Sequence, residues 1–163
     1  MLAFFALRPA GTPGPAMRDF EAFYAAGVVA NRGGDPYSRQ IWSAERNVPG
    51  VDTSHDETLP FVGPPVALGL WRALAGLPFD VAGRVWGAIL AISMLVVVFG
   101  GLVLVRAPRV PAALLGAAVF AGSFGPLTSD VALGQPALLC AAAIITTLLL
   151  LQTRAWWSAA LTA

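Results

Sequence analysis

The chain has 163 residues, 57% of them hydrophobic and 12% charged, with a formal net charge of +1. Soluble domains carry roughly 25% charged residues, so this balance points to a membrane protein. The ten basic residues are all arginine, and they form no run that could track a phosphate backbone, which argues against nucleic acid as a partner.

The first apolar segment, residues 2 to 7, is too short to cross a bilayer and lacks the basic n-region and cleavage site of a signal peptide. It reads as the outer end of a span that begins upstream, so the chain is expected to be a fragment of a larger membrane protein. Residues 17 to 30 fit a short helix. Asp19, Phe23 and Gly27 recur at four-residue spacing, with Phe20 and Tyr24 on the adjoining line. Gly33 and Gly34 stop it, and Asp35-Pro36 makes a turn. Residues 43 to 58 are polar, contain Pro49-Gly50, and read as an exposed loop. Pro64-Pro65 then starts a second helix with Val66, Leu70, Trp71 and Leu74 on one side. It is expected to lie along the membrane plane, with Trp71 and Arg72 at the headgroups. Asp80 is placed to cap the next helix, and Arg84 and Trp86 to anchor its outer end.

Four apolar stretches follow, at 85–105, 110–128, 131–151 and 155–163, the last cut off by the chain end. A run of 21 residues at 1.5 Å per residue reaches about 30 Å, the thickness of the hydrocarbon core. The second run is rich in Gly and Ala, which suits close helix packing. Arg106 and Arg109 lie between the first two runs, and Arg154 follows the third. The positive-inside rule puts these ends in the cytoplasm. Residues 1 to 84 and the loop Gly125 to Gln135 then face outward, and residues 85 to 163 form the membrane part.

The single cysteine, Cys140, lies in an apolar run and reads as packing; the single histidine, His55, reads as a solvated loop residue. No cluster of carboxylates or histidines has metal-ligand spacing, so neither a metal nor a cofactor is expected.

Several short elements occur together in one order: Asp19-Phe20 with Phe23-Tyr24 and Ala26-Gly27, Gly34-Asp35-Pro36-Tyr37, Trp42, Pro64-Pro65, Trp86 and Gly134-Gln135. In this order the chain resembles the N-terminal part of the bacterial GT-C glycosyltransferases of family 87, which include polyprenyl-phosphate-mannose-dependent α-mannosyltransferases. The resemblance implies an all-α, polytopic transmembrane helix bundle in a bacterial plasma membrane. Its extracytoplasmic first loop would contain short interfacial helices. It also implies transfer of a sugar, mannose in these relatives, from a polyprenyl phosphate to a hydroxyl of a glycolipid or polysaccharide acceptor on the outer face.

In that family an acidic residue of the first external loop is at the active site, and Asp19 is the matching position. It would act as general base for the attacking hydroxyl, which requires hydrogen-bond reach of that group. Arg18 is the nearest candidate to meet the charge of the departing phosphate. Tyr24 and Tyr37 suit either stacking on a sugar or interfacial anchoring. Asp35 suits substrate contact or the turn before Pro36. The Gln135 amide suits a sugar hydroxyl, a cap or an interhelical bond. Asp130, in the same loop, reads as exposed. Two other readings remain open: a transporter subunit, although no charge interrupts the spans, and a non-enzymatic assembly protein whose external helices bind a partner.

Overall fold

The structure is a computed structural model that describes residues 17–48, 59–106 and 111–162. The described residues form seven α-helices and one 3-10 turn, with no strand: α1 Arg18–Asn31, α2 Gln40–Arg46, the turn Pro65–Ala67 leading into α3 Leu68–Leu74, α4 Phe79–Leu104, α5 Pro111–Ser123, α6 Gly125–Leu133 and α7 Ala137–Thr162. The segments 2–7 and 49–58, with His55, and Arg109 lie outside the described residues.

Helix α1 carries Asp19 and Glu21 in its first turn, where carboxylates suit the positive end of the helix dipole. It ends where the two glycines predict. Gly33 takes φ +75, and the N–H groups of Gly33 and Gly34 return to the carbonyls of Ala30 and Val29. This paired closure satisfies carbonyls that the helix end would otherwise leave open. From Phe20 to Gly27 the helix is buried along its whole circumference, so it forms the centre of the part that lies outside the candidate spans.

Three elements enclose α1. Helix α3 lies close because Gly27 faces the Trp71 carbonyl, where a Cβ would collide with backbone. Aromatic rings then join the elements. Phe23 stacks on Trp71 at 4.7 Å, Trp71 meets Trp86 edge-on at 4.9 Å, and Phe20 stacks on both Trp86 and Phe79. Trp71 and Trp86 are almost fully buried. Each such ring contributes on the order of 3 kcal/mol of transfer free energy, beside its ring contacts.

Helices α4 and α7 pack side by side. Gly100 makes this possible, since a Cβ there would lie 2.5 Å from Ile145 Cγ2. Two segments are long and apolar enough to cross a membrane, Phe79–Leu104 and Ala137–Arg154. Helices α5 and α6 would make a third span only as a pair bent by 57°. Among the described residues, an all-helical fold with two or three candidate spans is thus established.

Several expectations are corrected. The first span starts at Phe79, six residues before 85, because Pro78 supplies an extended N-cap and the helix continues unbroken from there. The run expected at 110–128 is broken after Ser123, and α6 restarts at Gly125-Pro126, where proline at the second position cannot continue a preceding helix. Of the run expected at 131–151, residues 131–133 end α6, and from Ala137 the rest joins the run expected at 155–163 in one helix, α7, to Thr162, since Gln152 and Arg154 are good helix formers and nothing there breaks it. Residues 43 to 46 belong to α2 rather than to a loop. Trp71 and Trp86 face the protein core rather than the headgroups. Asp80 makes no cap; it pairs with Arg84 at 2.9 Å, one turn on, with both side chains exposed.

Candidate functional site

The site forms where the turn between α6 and α7 meets the start of α1. Gly134 ends α6 in the left-handed conformation, at φ +76, and the N–H of Gln135 returns to the Asp130 carbonyl. A side chain at Gly134 would be strained in that conformation, and its Cβ would lie 2.9 Å from Phe20 Cβ. Only glycine lets this turn sit on α1.

Three hydrogen bonds hold it there. The Met17 N–H donates to the Ala132 carbonyl at 2.7 Å, and the Trp86 indole N–H donates to the Gly134 carbonyl at 2.8 Å. The Gln135 side-chain amide donates to Asp19 Oδ2 at 2.6 Å. The last bond joins residues 116 positions apart. Asp19 is half-buried at the first turn of α1, and its neighbour Arg18 is half-buried too.

Asp130 stands near enough for its carboxylate and that of Asp19 to repel each other. It accepts the backbone N–H of Leu138, in the first turn of α7. Asp130 is therefore half-buried beside the site rather than exposed, as its sequence suggested. Two carboxylates and one amide thus meet at the junction of α1, α6 and α7. A carboxylate held in this way can accept a proton from a hydroxyl that approaches it.

The other sequence candidates lie elsewhere. Tyr24 is buried on α1, and its hydroxyl donates to the Leu77 carbonyl at 2.7 Å; burial pushes its phenol above the usual range. Its ring meets Phe79 edge-on. Asp35 accepts the Tyr37 N–H at 2.9 Å, which closes the turn before Pro36. The Tyr37 ring is half exposed, and its hydroxyl donates to the Gly63 carbonyl. The structure thus brings Asp19 and Gln135 together, engages Tyr24 in the middle of α1 with Leu77 and Phe79, and leaves Asp35 and Tyr37 in the turn beyond the end of α1. Among the described residues no group of three or more potential ligands could hold a metal ion.

Below the junction, α4, α5 and α6 enclose an apolar groove of about 350 Å³, lined by Met94, Val98, Ala121, Leu127, Thr128 and Val131 among others. Val131, which follows Asp130 in sequence, and Thr128, two residues before it, both line the groove. Sequence reasoning missed two participants. Trp86 read as a membrane anchor but holds the turn, and Asp130 read as exposed. The Gly-Gln pair was a visible signal for the turn; nothing local marked its partner.

No known protein family, curated protein or solved structure matches the chain.

Proposed function

We propose that the chain is part of a multi-pass plasma-membrane glycosyltransferase that moves a sugar from a polyprenyl phosphate to an acceptor hydroxyl on the outer face. The observation that carries this reading is the bond between Gln135 and Asp19, which aims a half-buried carboxylate at the junction of the external helices and the spans. In this reaction the acceptor oxygen forms a bond to the anomeric carbon while the bond from that carbon to the phosphate oxygen breaks. The hydroxyl proton passes to Asp19, the polyprenyl phosphate leaves with the electron pair, and the anomeric configuration inverts. Arg18, adjacent in sequence, is the candidate to meet the charge on the phosphate. The apolar groove beside α6 supports the reading because a hydrocarbon carrier requires such a surface near the chemistry.

The test is Asp19→Asn, assayed for sugar transfer from polyprenyl-phosphate mannose in membranes that contain the protein. Asparagine keeps an oxygen to accept from Gln135 and removes only the base. General-base catalysis contributes roughly 10²–10⁴-fold, and a loss of that size is expected. Transfer at the unmodified rate would remove Asp19 from the mechanism.

A further inference from the structure

The peptide unit between Gly134 and Gln135 is held at both edges. Its oxygen accepts the Trp86 indole N–H at 2.8 Å, and its N–H donates to the Asp130 carbonyl at 2.9 Å. A peptide unit is planar, so bonds at opposite edges fix the rotation of the whole plane. That rotation would otherwise be soft, because the residue before the plane is a glycine at φ +76. On the far side, Pro136 restricts the backbone of Gln135, since the residue before a proline favours extended conformations. The direction in which the Gln135 side chain leaves the turn therefore follows the plane that precedes it.

The two bonds to this plane differ in what they are tied to. The bond to Asp130 lies within the turn and travels with it. The bond from Trp86 comes from α4, and it alone refers the plane to the rest of the molecule. Trp86 is fully buried and cannot swing. One face of its ring stacks on Phe20, with an interplanar angle of 11°, and Trp71 meets it edge-on. Phe20 follows Asp19 on α1, and Gly134 precedes Gln135. A single rigid indole thus touches the neighbour of each partner in the 2.6 Å bond between Gln135 and Asp19.

We infer that Trp86 is a positioning residue for the Gln135–Asp19 pair: its indole N–H sets the Gly134–Gln135 peptide plane and so aims the Gln135 amide at the carboxylate. Its consequence for catalysis rests on the sugar-transfer reading; its hold on Gln135 does not.

The experiment places benzothienylalanine at position 86 of the full chain in nanodiscs, which keeps the double ring and puts sulfur where the N–H was. Two properties are read: the NMR signal of the Gln135 side-chain amide, identified by its loss in Gln135→Ala, and kcat and KM for transfer from polyprenyl-phosphate mannose. The replacement should displace the amide signal and lower kcat about tenfold with little change in acceptor KM. A fluorinated tryptophan at the same position, which keeps the N–H, should restore both. In a Gln135→Ala background the replacement should cost no further activity, because both changes act through one bond. Benzothienylalanine at Trp71, whose N–H finds no acceptor among the described residues, should alter neither property. An unmoved Gln135 signal would overturn the inference, as would losses that multiply in the Gln135→Ala background or an equal effect at Trp71. Absence of transfer in the unmodified protein would defeat the sugar-transfer reading instead, and the amide signal would then decide the role of Trp86 by itself.

Discussion

Asp19 and Gln135 illustrate how much of a site one side chain can decide. The Gln135 amide fixes the orientation of the carboxylate, so the proposed reaction should respond to its loss differently from the loss of the base itself. In Gln135→Ala, Asp19 keeps its charge but not its aim. Transfer should fall roughly tenfold in kcat with a small change in acceptor KM, since misplacement costs less than removal. A fall as large as that of Asp19→Asn would instead assign Gln135 a direct part in the chemistry. The two central tryptophans allow a sharper comparison. Both are buried, but Trp86 donates to the buried Gly134 carbonyl, whereas the Trp71 indole N–H finds no acceptor among the described residues. Replacing either by phenylalanine removes similar ring area; only Trp86→Phe leaves a buried carbonyl unpaired. Thermal unfolding in detergent should therefore find Trp86→Phe less stable than Trp71→Phe by roughly 1–3 kcal/mol. Equal stabilities would mean that the bond between α4 and the turn adds nothing.

At the scale of elements, the packing of α1 depends on the absence of a side chain. Gly27 lets the α1 backbone approach the Trp71 carbonyl, and that approach brings Phe23 and Trp71 into a stack. Gly27→Val would push α3 away against a rigid backbone and open the stack. A loss of roughly 2–4 kcal/mol is expected, visible as a lower unfolding temperature and faster proteolysis of the region around α1. Gly69, on the same short helix, has open space where a Cβ would project, so Gly69→Ala should leave stability nearly unchanged and serves as the control. The sequence marked Gly27 as a member of a helical line but not as a contact, because the obstacle is a carbonyl 44 positions further along the chain.

For the whole molecule, α4 and α7 run in the same direction. Trp86 and Gly134 meet near their starts, and Gly100 meets Ile145 and Leu149 further along. Arg106 and Arg154, which follow, thus lie toward the same end, as the positive-inside rule requires of one cytoplasmic side. In a Cys140→Ser background, a cysteine at Ser43 should react with an impermeant maleimide in intact cells. A cysteine at Arg154 should react only after permeabilisation. The reverse pattern would put Asp19 in the cytosol and end the outer-face reading. Helices apolar enough to cross a membrane, the extent of α1 with its glycine stop, and the C-terminal end of the first candidate span were legible because hydropathy and turn chemistry act within a few neighbouring residues. The break after Ser123 and the continuity of α7 were harder to read, since proline and polar residues signal boundaries without fixing whether a helix resumes or continues.

Local composition by itself pointed to helices with stretches able to enter a bilayer, and the family resemblance singled out Asp19 and Gln135 as separate candidates. Tertiary structure alone decided that the two meet, that Asp130 stands beside them, and that Trp71 and Trp86 turn inward. The reason is physical. Hydropathy and capping depend on nearest neighbours along the chain, whereas a hydrogen bond spanning 116 positions exists only once Gly134 has made the left-handed turn and the aromatic rings have packed beneath it.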